Sequence, residues 1–184
     1  MKNLKRILVV AVMLGTLTGY ANDGEKVKSI FNYVAKGSHI SVSDTKGEVI
    51  YSGQINYNGN LTTLFDFTQL KNGKYVVEIN KDFEIEINTI EVKNHTVSFL
   101  DGTKKKIHKP VVRAESDKVL ISKLATQSNE MKVELYYNSE LIHSETVKGE
   151  AILNRVYKLD SKLKGDYTAV VKSDNRVFVE NFRI

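Results

Sequence analysis

The folds open to this chain are limited first by a stretch that occurs twice. Residues 70–92 (LKNGKYVVEINKDFEIEINTIEV) read as a turn, a strand, a tight hairpin and a return strand, and residues 163–184 (LKGDYTAVVKSDNRVFVENFRI) read the same way. From Gly73 onward the two align without a gap at an offset of 92 residues. Gly73 falls on Gly165, Tyr75 on Tyr167 and Asp82 on Asp174, and nothing else is identical over the twenty positions. The likeness therefore lies in apolar pattern and turns. Tyr75, Val77 and Ile79 sit two apart and share one strand face; Phe83, Ile85 and Ile87 do the same on the return strand. The apolar phase then shifts to Ile90 and Val92, which predicts a β-bulge near Asn88 and Thr89. The second copy shifts alike, from Val177 and Val179 to Phe182 and Ile184 across Glu180 and Asn181.

The rest of the chain carries strand signals between turns. Residues 27–34 mix β-branched and aromatic side chains, and Ile40 and Val42 alternate. Residues 44–47 (DTKG) turn the chain before a strand over 48–52, and residues 56–60 (NYNGN) turn it again through an Asn-Gly pair. Residues 61–67 are expected to be a further strand, with Leu64, Phe65 and Phe67 in the core, and 96–100 another. A glycine turn, three successive lysines and the single proline, Pro110, make residues 101–109 the boundary between two units. Beyond it, residues 118–125 resemble 26–35 in pattern, 133–137 match 40–44, and 156–159 match 64–67. The expected fold is all-β: short strands at regular spacing that pack as antiparallel sandwiches.

The N-terminus reads differently. Lys2, Lys5 and Arg6 precede the apolar run of residues 7–14, and Gly19, Tyr20 and Ala21 supply a small-residue cleavage site. That order is a secretory signal peptide, and the run is too short to span a bilayer. Setting it aside leaves 24 Lys and Arg against 22 Asp and Glu, a balance of +2 in place of the formal +5. A nearly balanced chain argues against nucleic acid as partner. There is no cysteine, which excludes disulfides, thiol chemistry and the lipidated cysteine of a lipoprotein. The expected product is exported to the periplasm, cell surface or exterior, without a transmembrane segment.

Leu70, Gly73 and Tyr75, with Leu163, Gly165 and Tyr167, place a glycine and a tyrosine where the chain enters a penultimate strand. A tyrosine there can bury its ring and return its hydroxyl to the preceding loop, while glycine permits a sharp turn. With Ile40, Val42, Asp44, Gly47, Val49, Ile50, Val77 and Ile79, this order resembles the small immunoglobulin-like modules of exported proteins in certain Gram-negative bacteria, among them the C-terminal sorting domains of type IX secretion and related domains of unknown function. The second copy keeps Val171 but replaces the Asp-x-x-Gly turn by residues 137–140 (YNSE). The resemblance implies two tandem Ig-like or fibronectin-III-like β-sandwiches: a signal peptide over 1–21, then modules over 24–103 and 108–184.

Chemistry is sparse. His39, His95, His108 and His143 lack metal-ligand spacing, and residues 56–60 offer oxygen atoms without a carboxylate, so neither metal nor cofactor is expected. No nucleophile elbow, P-loop or dinucleotide fingerprint occurs, so no enzyme is expected. Glu84 and Glu86 read as a solvated strand face that keeps an edge from pairing. The candidate partner contacts are Tyr57, the basic run Lys104, Lys105 and Lys106, and Tyr136, which alternation sets on the face opposite Tyr137. The expected function is a binding or adhesion module for an unknown protein or glycan at the cell surface or in the periplasm. The alternative is a secretion, sorting or assembly module recognised through its C-terminal copy.

Overall fold

The computed structural model describes residues 33–184. The expected signal peptide and most of the strand expected over 27–34 lie outside them.

The fold is all-β, with every strand pair antiparallel. In the N-terminal half, β2 (His39–Asp44), β3 (Val49–Gln54), β5 (Gly73–Asn80), β6 (Glu84–Lys93) and β7 (Thr96–Phe99) form a sheet in the order β3-β2-β5-β6-β7. A two-residue ribbon, β1 (Tyr33–Val34) with β4 (Gly59–Asn60), lies apart from it. The long β6 carries two partners on its outer edge: β7 along residues 90–93, and β8 (Lys105–His108) along residues 84–87. Lys105, Lys106 and His108, expected in a boundary segment, are thus part of the first sheet. The core joins Val34, Ile40, Val42, Ile55, Leu61, Phe67, Tyr75, Val77, Ile79, Ile90 and Val92.

The C-terminal half has two facing sheets. One holds β9 (Val111–Glu115), β10 (Lys118–Leu124) and β13 (Ile152–Lys158) in the order β13-β10-β9; the other holds β11 (Glu130–Tyr137), β12 (Glu140–Lys148), β14 (Asp166–Ser173) and β15 (Arg176–Arg183) in the order β12-β11-β14-β15. Val119, Ile121 and Leu153 from the first meet Met131, Val133, Leu135, Val147, Tyr167, Ala169 and Val171 from the second in one core. Residues from both inner faces in a single cluster make this a sandwich.

The halves share their register. Val42 faces Val77 and Asp44 faces Tyr75; correspondingly, Leu135 faces Ala169 and Tyr137 faces Tyr167. Each has one irregularity at the equivalent place, between Val42 and Ser43 against β3 and between Leu135 and Tyr136 against β12.

Two expectations are corrected. No bulge accompanies the phase shift: β5–β6 and β14–β15 pair in unbroken register. The strands run straight and the apolar residues change face. Glu86 and Asn88, opposite Ile79 and Val77, occupy the inner side of β6, and Ile85 and Ile87 the outer. In β15, Phe178 and Phe182 pack on the core while Val177 and Val179 point out, 61% and 57% exposed. Residues 61–67 are not a strand. Asn60 Oδ1 accepts from Thr62 N and starts the helical turn α1 (Leu61–Leu64); Asp66 Oδ1 accepts from Thr68 N and starts a 3-10 turn (Phe67–Gln69). Both side chains compete with sheet pairing by capping a turn. Leu61 and Phe67 are still buried, as are Leu153 and Leu159 at the same offset, but Leu64 is exposed.

Candidate functional site

The Gly-x-Tyr units are scaffold. The Tyr75 hydroxyl donates to Lys71 O at 2.8 Å and that of Tyr167 to Leu163 O at 2.7 Å. Each ring is buried and each hydroxyl ties down the loop before its strand. The glycines differ. Gly165 has φ +156°, and a Cβ there would come within 3.1 Å of the Tyr137 ring. Gly73 lacks a positive φ and has only ordinary contact distances, so the expected backbone requirement does not apply to it.

The candidate contact residues do not form one surface. Tyr57 is 73% exposed in the loop after β3. Lys104 is exposed ahead of β8. Lys106, on the inner side of β8, places Nζ 2.9 Å from Glu84 Oε2 and 3.8 Å from Glu86 Oε1, while Lys81 reaches Glu86 at 2.9 Å. The hydrogen bond to Lys106 holds the Glu84 carboxyl below its usual range and the Lys106 ammonium above its own. Glu84 and Glu86, expected as a solvated face, are instead the hub of this ion-pair group, with Glu86 buried. Strand alternation turns Lys105 to the other side of β8, beside Ile87.

Tyr136 does face outward, and its hydroxyl donates to Glu134 Oε2 at 3.2 Å. Lys132 Nζ lies 2.7 Å from Glu134 Oε1 and Lys172 Nζ 2.9 Å from Oε2. These donors, Lys132 first, push the Glu134 carboxyl down to about 2. Sequence reasoning passed over Glu134, Lys132 and Lys172; the signal available was their shared outward phase on paired strands.

Of these residues, Lys105, Lys132 and Lys172 are gathered where two outer sheet faces meet. Ile87, Lys105 and Ile107 from the first sheet stand across from Lys132 and Thr146, with Lys172 to Val177 between them, around an open cleft of about 1020 Å³. Arg176, from the β14–β15 hairpin, pairs with Glu78 of β5, and His108 Nδ1 lies 3.0 Å from Thr126 Oγ1. The hairpin is a two-residue turn in which Asp174 and Asn175 both have positive φ. Asp174 Oδ2 sits 2.7 Å from Lys123 Nζ, a pair almost wholly out of water that links the two sheets of the sandwich. A separate polar group joins the edges β12 and β13: Tyr157 donates to Glu145 Oε1 at 2.8 Å, and Arg155 Nε lies 3.4 Å from the same oxygen. Burial and that carboxylate raise the Tyr157 pKa.

Among the described residues, no three His, Asp or Glu side chains converge as metal ligands, and no helix is long and apolar enough to cross a membrane. The arrangement offers a groove with cations on both walls and aliphatic side chains between them.

None of the curated proteins matches the chain. Among solved structures, extracellular domains 3–5 of Drosophila OTK align over 81% of this chain and 86% of that one, at 5% identity and a TM-score of 0.25. The amphioxus IgVJ-C2 molecule aligns over 82% and 89%, at 15% identity and a TM-score of 0.22. Residues 24–93 match the family described as the secretion system C-terminal sorting domain, the resemblance expected from Gly73 and Tyr75, and that match implies an exported protein.

Proposed function

We propose that the protein is an exported, non-enzymatic binding or adhesion module: a tandem of two Ig-like domains, carried out by a signal peptide, that holds a partner at the bacterial cell surface or in the periplasm. The observation that carries this reading is the cleft between the two outer sheet faces. Clefts between modules are where convergent side chains from distant sequence make recognition surfaces. The chemistry supports binding over catalysis. Glu134, the carboxylate that the lining residues Lys132 and Lys172 share, is held ionised by them, and a group with a pKa near 2 is a poor proton carrier near neutrality.

The test fills the cleft. Thr146→Trp places a large ring among the lining residues. Binding of the labelled protein to cell envelopes, measured by flow cytometry, is expected to be lost in this variant and kept in Tyr57→Ser, which changes an exposed loop. Equal binding by all three proteins overturns the reading.

The second reading is a secretion, sorting or assembly module. What favours it is the family match over residues 24–93. Reporters fused to residues 24–107 and to residues 108–184 separate the copies. A fusion that is cleaved and surface-attached supports sorting by that copy; two reporters left in the periplasm sink it.

A further inference from the structure

Resting on the binding reading, we infer that the cleft between the two sheets takes an acidic, extended peptide segment, with Lys105 as its central anchor. Both carboxylates that line the cleft already have a cation, Asp174 with Lys123 and Glu130 with Lys148 at 3.5 Å; of the lining cations, Lys132 and Lys172 share the carboxylate of Glu134 and Arg176 pairs with Glu78. Lys105 has no ion pair among the described residues, and Glu134 takes two lysines for one negative charge. The cleft therefore carries cationic surplus on both walls, and an anionic occupant is the complement.

The lining decides which anion. Ile87, Ile107 and Val177 put aliphatic surface between the cations, which a small inorganic ion leaves uncovered. Among the described residues no aromatic side chain lines the cleft, so these walls lack the stacking face that sugar rings use. Gln127, Ser128 and Asn175 supply hydrogen-bonding groups. Strand β8, which contributes Lys105 and Ile107, pairs among the described residues with β6 alone, and its second backbone edge has no partner strand among them. An extended chain can add to such an edge, with alternate side chains meeting lysine and aliphatic surface.

The experiment measures fluorescence anisotropy of a labelled peptide of alternating Glu and Val with the purified protein. Polygalacturonate and inorganic phosphate serve as competitors. Saturable binding that Lys105→Glu weakens about tenfold or more, and that the equal charge change Lys46→Glu, in the exposed β2–β3 turn at the other end of the sheet, leaves within about twofold, is the expected result. Lys105 makes no ion pair among the described residues, so its substitution is expected to leave the fold intact, which circular dichroism checks. Equal weakening by both variants means non-specific charge attraction and overturns the proposal. Binding of labelled polygalacturonate but not peptide, sensitive to Lys105→Glu, overturns the peptide assignment while leaving the binding reading standing. No binding of either probe, together with envelope binding unaffected by Thr146→Trp, removes both.

Discussion

The two tyrosine corners are the clearest case of residue chemistry setting local structure. Each hydroxyl satisfies a loop carbonyl, and each ring is part of a core. Tyr75→Phe and Tyr167→Phe are each expected to cost about 1 kcal/mol, the net value of such a bond, read as a lower urea midpoint. The corner glycines separate. Gly165→Ala meets both a positive φ and the Tyr137 ring, and is expected to lower the thermal midpoint. Gly73→Ala is expected to be neutral or to stabilise by about 0.4–1 kcal/mol, since alanine narrows the unfolded ensemble and nothing obstructs it. Glu134 adds a pH dependence. Its folded pKa is depressed from 4.5 to about 2, so its contribution is complete above 4.5 and is lost as pH falls toward 2. Glu134→Gln is therefore expected to flatten the acid limb of stability against pH in that window, measured by chemical denaturation.

At the level of elements, β6 and β15 show where alternation misleads. Ile85 and Ile87 read as core because they are apolar and spaced by two. Their face is turned to the neighbouring unit: Ile85 is 4% exposed, and Ile107 stands beside it in β8. In a strand covered on both sides, polarity does not mark which face is the core: here the polar side, Glu86 and Asn88, is the inner one. Burying Glu86 and Asn88 on the inner side has a cost, since Glu86 Oε2 and Asn88 Nδ2 have no hydrogen-bond partner among the described residues. The hairpin joining β14 and β15 is held through Asp174. Removing one member of a buried pair strands the other, so Lys123→Ala is expected to cost about 3–5 kcal/mol. Lys123→Met with Asp174→Asn is expected to recover most of it, because both charges are gone and asparagine accepts a positive φ. Calorimetric midpoints of the single and double variants check this.

For the molecule as a whole, the junction between the two halves is narrow. The Arg176–Glu78 pair, whose arginine lines the cleft, and the His108–Thr126 contact join them. Half-exposed ion pairs at such junctions contribute little to folding, yet they restrict relative motion. Glu78→Ala with Thr126→Ala is expected to widen the distribution of inter-unit distances in small-angle scattering or spin-label measurements, with the thermal midpoint shifted little. An unchanged distribution would show that these two contacts do not set the geometry.

The sequence by itself determined what depends on neighbours along the chain. The all-β class, the turns, both tyrosine corners and the matching strands of the two halves follow from spacing and turn chemistry. Tertiary structure decided the rest. Alternation states which residues share a face, but what lies against that face comes from other parts of the chain, so Ile85 and Val177 went to the outside and Glu86 to the inside. Lys105 and Lys106 are adjacent in a basic run, yet the pairing of β8 with β6 sends one to an ion-pair group and the other to the cleft. Lys132 and Lys172 lie forty residues apart and meet only because β11 pairs with β14. The repeated turn-and-strand stretch specified a scaffold twice; the meeting of the two scaffolds made the one surface with a charge left to share.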